Sequence, residues 1–174
     1  MPQGLGMHME GFQLWINLPA RLKMNPPRYQ EINAASIPWL NPQKGVAIRL
    51  VAGKYRETIG PANAIAIPLL FMDVAVECDD TFGLEIATQD NAFAYVFKWG
   101  GDFCGTEVES TALAIFGDGE KINITGGLHG VRFLLVAGEP IGEPIVRYGP
   151  IVMNSVEEIS QALRELRGGK FIQT

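Results

Sequence analysis

Two cysteines and two histidines in 174 residues leave little material for redox or metal chemistry. Cys78 and Cys104 are too few for a disulfide framework and read as reduced thiols in a cytoplasmic protein. His8 and His129 lie at opposite ends of the chain. A metal site in a β-barrel draws two or three histidines close in sequence, plus a carboxylate, from adjacent strands. Neither histidine is therefore expected to be a ligand, and His129 falls in the Gly-rich turn "GGLHG". No apolar run reaches about 18 residues, so no membrane span is expected. Basic excess is missing too. With a net charge of −5 and a pI near 5.0, a broad phosphate-neutralising surface is excluded, and with it direct nucleic-acid binding. The opening "MPQGLGMHMEG" lacks the basic and apolar regions of a secretion signal. No Gly-x-Ser-x-Gly elbow occurs, and "FGDGE" reads as a tight turn rather than a phosphate loop, since no Lys-Ser or Lys-Thr closes it.

What the chain does have is glycine, proline and apolar alternation. Twenty Gly and eleven Pro punctuate a sequence that is 47% hydrophobic and 19% charged. A chain of this length buries roughly 70% of its unfolded surface without needing a staple. Short apolar segments recur about every ten residues: Val46 to Gly53, Ile65 to Glu77, Gly83 to Thr88, Asn91 to Gly101, Glu109 to Gly119, Glu120 to Gly127, Val131 to Pro140 and Glu143 to Met153. Such spacing predicts an all-β sandwich or barrel. One helix is expected, over 155–167. Asn154 with Glu157, or Ser155 with Glu158 one residue on, supplies the N-terminal signature. Ile159, Ala162, Leu163 and Leu166 form its apolar stripe, and Gly168 closes it.

Within this pattern, Asp79 and Asp80 of "ECDDTFGLE" read as a solvated turn, and Cys104 reads as a small packed side chain. Phe93, Tyr95, Phe97 and Trp99 read as one packed face of a barrel strand. The first strand pattern comes earlier, in "GFQLWINL", where Phe12, Leu14, Ile16 and Leu18 alternate with Gln13, Trp15 and Asn17. A strand needs neighbours on its edges, and the Pro-rich connector that follows, over 25–44, offers none.

"GFQLWINLPARLKMNPPRYQEI" and "VAGEPIGEPIVRYGPIVMNSVEEISQALRELRGGKF" resemble segments of the pirin family, in the same order and spacing. Pirins are two-cupin proteins, so the resemblance implies a cupin-type jelly-roll barrel with one C-terminal helix. It also implies three domains of the chain: 1–24 as a remnant strand of the first cupin, 25–44 as a linker, and 45–174 as the second cupin. In the family a divalent metal, usually Fe(II), is held in the first barrel by His-x-His and by His-x-Glu followed by Met-Pro. Met1-Pro2 matches that Met-Pro, so the resemblance implies that all four ligands lie upstream of residue 1; Met1 then reads as an internal methionine of a longer frame, the alternative being a genuine half-length gene. No catalytic, metal or cofactor residue carries over.

The resulting expectation is a metal-free second cupin, structural and partner-binding. Its strand 11–18 would pair with a first-cupin half or with a second copy, and Gln13, Trp15 and Asn17 would line the interface or a pocket. A regulatory protein is a further partner that the resemblance implies. The alternative is that the chain forms part of a quercetin 2,3-dioxygenase-like pirin, whose metal site lies in the other cupin.

Overall fold

The computed structural model describes residues 11–63 and 67–172. The chain divides into two compact units, one of residues 24–142 and one of residues 11–23 with 143–171.

The larger unit is built from ten strands: β1 (Trp39–Gln43), β2 (Val46–Ala52), β3 (Lys54–Tyr55), β4 (Thr58–Ile59), β5 (Leu69–Val76), β6 (Thr81–Glu85), β7 (Asn91–Phe103), β8 (Thr106–Glu109), β9 (Ala112–Ile115) and β10 (Lys121–Gly138). Eight of them form one antiparallel sheet in the order β1-β2-β5-β10-β7-β8, with β6 on β10 and β9 on β7; β3 and β4 pair separately. Alternation is strict where it matters: β2 buries Val46, Ile48, Leu50 and Ala52 and turns Ala47, Arg49 and Val51 outward. The inner faces of the strands join in one apolar core, in which Ile48, Leu50, Met72, Val74, Phe82, Ile124, Phe133 and Leu135 are sealed from solvent.

β10 holds the sheet together. Its first part, Lys121–Thr125, pairs with β6, its last part, Val131–Gly138, pairs with β5, and β7 runs along both. The sequence pattern splits this element into two strands because Gly126, Gly127 and Gly130 interrupt it. The structure keeps one strand with an irregular register between Gly126 and Val131. Glycine is required at the corner: a Cβ on Gly126 would lie 2.2 Å from the Glu77 carbonyl oxygen. The reason is close backbone approach rather than a chain reversal.

Three further expectations differ from the structure. No residue of 11–18 belongs to a strand; the alternation is present, but a strand exists only when another edge satisfies its backbone. β1 lies inside the stretch 25–44 read as connector, with Pro42 at an edge position where a missing N–H is tolerated. Glu143 to Met153 forms a hairpin instead of one strand: β11 (Val146–Tyr148) and β12 (Ile151–Met153) flank Gly149, whose φ of +56° starts the turn that Pro150 continues.

That hairpin belongs to the smaller unit, together with helix α1 (Val156–Arg167). Ser155 is the N-cap: its hydroxyl accepts from Glu158 N at 3.2 Å, and Glu158 Oε2 accepts from the Ser155 and Asn154 N–H groups at 3.0 and 2.8 Å. The later of the two cap signatures is therefore the one used. Ile159 and Ala162 are buried with Met153, beside Val146, Ile151, Leu163 and Phe171, so the helix stripe closes over the hairpin.

Candidate functional site

Ligands in small barrels usually sit in the interior or its mouth. Here the interior is occupied by side chains. Phe133 packs against Phe103 edge-on at 5.4 Å and against Phe82 at 6.2 Å, and no polar or charged side chain is buried among the described residues. Nor do the described residues contain any group of three His, Cys, Asp or Glu able to hold a metal ion. His129 sits exposed in the irregular part of β10, while His8 lies outside the described residues. The donor set present does not fit the divalent metal that the pirin resemblance implies for a first barrel, and no chemistry is derived through one.

The residues Gln13, Trp15 and Asn17 are not brought together in a described cavity. Gln13 is exposed and Trp15 is 67% exposed, while half-buried Asn17 accepts a hydrogen bond from Lys23 Nζ at 2.6 Å. Lys23 has its pKa lowered by burial, against the opposing pull of Glu143 and Glu158. Glu143 also accepts from Ala20 N and from Asn154 Nδ2, at 2.6 and 2.9 Å, so residues 17–23 are tied to the hairpin segment by polar contacts. Phe12, Leu14, Trp15, Ile16 and Leu18 are all among the exposed large hydrophobics.

Both thiols are exposed. Cys78 Sγ donates to Asp79 Oδ2 at 3.3 Å, and this bond, aided by desolvation and the charges of Asp79 and Asp80, pushes the Cys78 thiol up. Cys104 is not the packed side chain expected. With Gly105 it forms the two-residue turn between β7 and β8, at φ +54° and +88°. Two positive φ values are what a type I′ hairpin turn demands, and the exposed thiol donates to Asn123 O and accepts from Asn123 N, each at 3.4 Å.

Outside the core, the sheet carries a second arrangement. Ala47, Ala75, Arg132 and Lys98 stand in register across β2, β5, β10 and β7, beside a row of Trp39, Arg49, Asp73, Leu134 and Tyr95. Arg132 donates to Asp73 through Nε at 2.9 Å and Nη2 at 2.7 Å, a bidentate fork. Arg132 also lies 5.3 Å from the Phe97 ring centre, and Arg49 lies 5.3 Å from that of Trp39. Buried Arg49 Nε has no hydrogen-bond partner among the described residues. On this face lies a hollow of about 280 Å³ lined by Trp39, Ala47, Asp73, Ala75, Lys98, Trp99 and Arg132.

The four-aromatic row expected on β7 is broken here. Phe97 is the extra residue of a bulge, because Arg132 faces Lys98 while Phe133 faces Val96. Phe93, Tyr95 and Phe97 stay half-buried on the outer face, and Trp99 takes φ +58°. For a bulky side chain that conformation costs about 1–2 kcal/mol. Two of the hollow's charged residues left a signal in the sequence: Asp73 and Arg132 each interrupt an apolar strand, in "FMDVAV" and "VRFLLV". Only the register brings them together.

An antiparallel jelly-roll sheet around an apolar interior, with a single described α-helix at its C-terminal end, defines a cupin-type domain. A family model described as the Pirin C-terminal cupin domain matches residues 71–172. A pirin-like protein of Caulobacter vibrioides is 35% identical over 172 residues, covering 98% of this chain and 62% of the relative. For a pirin-like protein of Solanum lycopersicum the figures are 34% over 176 residues, 98% and 59%. The chain thus belongs to the pirin family, and it spans less than two thirds of the length of these curated relatives. Among solved structures, a quercetin 2,3-dioxygenase from Acinetobacter baumannii superposes with a TM-score of 0.83 at 31% identity, over 90% of this chain and 55% of that one. A second quercetin 2,3-dioxygenase structure from Acinetobacter baumannii, at 20% identity and a TM-score of 0.77 over 92% of this chain and 53% of that one, shares the fold.

Proposed function

We propose that this chain is the metal-free C-terminal cupin module of a pirin-like protein, structural and partner-binding, with no independent active site. On this reading residues 1–24 are a remnant of the first cupin, and the linker that follows ends before β1, which already belongs to the sheet of the second cupin. One observation carries it: the described barrel interior is filled by Phe82, Phe103, Phe133 and their aliphatic neighbours, with no buried polar side chain. A closed apolar core stabilises, and it leaves no room for a polarised substrate or an ion. The partner surface is the alternating stretch 11–18, whose large apolar side chains are exposed. Extended segments of this kind pair with the strand edge of another chain, here a first-cupin half or a second copy.

The test has two arms. Metal analysis of the purified chain after incubation with Fe(II) is expected to give far less than one ion per chain; stoichiometric binding overturns the proposal. Light scattering at tens of micromolar, alone and with the part of the Caulobacter relative that this chain does not cover, is expected to show association that Leu14→Asp with Ile16→Asp abolishes. A monomer under both conditions removes the partner role.

A second reading is favoured by the likeness to the Acinetobacter baumannii quercetin 2,3-dioxygenase structure. In it the chain is one part of a metal-dependent, quercetin 2,3-dioxygenase-like pirin whose metal lies in the other cupin. Flavonol oxidation by the two parts together, and by neither alone, distinguishes it from a purely structural role.

A further inference from the structure

The hollow on the outer face of the sheet goes beyond that reading, since it belongs neither to the barrel interior nor to residues 11–18. We infer that it is a binding site for a single-ring aromatic anion, of the aryl carboxylate class.

Size sets the first limit. Pockets for drug-sized molecules run to about 300–1,000 Å³, so a hollow of about 280 Å³ takes one ring rather than a fused or multi-ring system. Its walls set the second. Trp39 and Trp99 are 61% and 50% exposed, and Ala47 and Ala75 lie between the strands that carry them, giving a shallow apolar floor. Arg49 lies over the Trp39 ring at 5.3 Å and Lys98 over the Trp99 ring at 5.8 Å, so each half-exposed indole stands beside a cation, and the pair make an apolar patch of the kind that marks a ligand groove.

Charge sets the third. Lys98 stands directly across from Arg132 on the neighbouring strand, and like charges in that position repel. Asp73 is engaged by both ends of the Arg132 fork, and no ion pair to Lys98 occurs among the described residues. The hollow therefore holds two cations and one anion, a net +1 in a chain of net −5. A carboxylate beside Lys98 removes the repulsion, and its ring covers the indoles.

Backbone strain adds an independent observation. Trp99 keeps φ +58° where glycine would be relaxed. Conformations of this kind are found where surrounding structure is organised around a function, and at this position the bulge turns the indole to the hollow.

The experiment uses the whole chain carrying Trp15→Phe. Of its three tryptophans only Trp39 and Trp99 then remain, so indole fluorescence reads the hollow directly. Sodium 4-hydroxybenzoate is expected to quench it saturably with a Kd of about 0.1–1 mM. The neutral 4-hydroxybenzyl alcohol should bind about tenfold more weakly, and acetate should not quench. Lys98→Gln should weaken benzoate binding about tenfold. Trp99→Gly should abolish binding, read at Trp39, while the melting temperature holds or rises. A folded protein with no saturable quenching by 4-hydroxybenzoate overturns the inference. So does equal affinity for the acid and the alcohol, or binding unchanged in Lys98→Gln.

Discussion

At the scale of single residues, environment rather than identity decides chemistry. Cys78 is exposed, yet its hydrogen bond to Asp79 opposes ionisation, and the thiolate is the nucleophile. Alkylation of Cys78 by iodoacetamide near neutral pH should be slower than that of a free cysteine peptide, and Asp79→Asn should raise the rate. An unchanged rate in that variant, followed by mass spectrometry of the Cys78 peptide, would mean the contact has no influence on the thiol. Asp73 offers the converse case. Its carboxylate is 15% exposed beneath the Arg132 fork, so Asp73→Ala removes the acceptor of both fork hydrogen bonds from a half-buried guanidinium. Such a loss costs about 1–3 kcal/mol, measurable by urea titration.

At the scale of elements, the cap and the corner glycine are the sensitive points. Ser155→Ala removes the acceptor for Glu158 N and should cost about 1 kcal/mol, seen as faster amide exchange in the first turn of α1. Gly126→Ala should be worse, because its Cβ would meet the Glu77 carbonyl oxygen and backbone must shift. Elements with their own periodicity were legible in the sequence: β2, β7 and α1 fall where the alternation or the 3.6-residue stripe puts them. Those that depend on distant partners were not. Residues 11–18 have a strand's pattern without being a strand, and the glycines of β10 read as a break where the structure has a corner. The bulge at Phe97 belongs to the same class. It resets the face on which Lys98 and Trp99 fall, and nothing in β7 alone announces a register that β10 imposes. The hollow was hidden for that reason, although its arginine and aspartate were visible as charges inside apolar runs.

At the scale of the whole molecule, the two units have unequal cores. Among the described residues, the larger buries 19 hydrophobic residues in one cluster and the smaller buries Met153, Ile159 and Ala162. Since apolar burial is the main source of stability, amide exchange should be slowest in β5, β7 and β10 and markedly faster in α1. Equal protection of α1 and β10 would contradict this. Phe133→Ala, which opens a cavity beside Phe82 and Phe103, should cost about 3–5 kcal/mol and lower the melting temperature of the larger unit.

β10 has a further consequence, which concerns synthesis. Residues 131–138 must leave the ribosome before β5, complete at Val76, can acquire its second neighbour. At about 5–20 residues per second, a nascent chain spends several seconds with the apolar faces of β2, β5 and β7 formed but uncovered. Slow codons between Val76 and Lys121 should therefore lower soluble yield relative to fast codons over the same stretch.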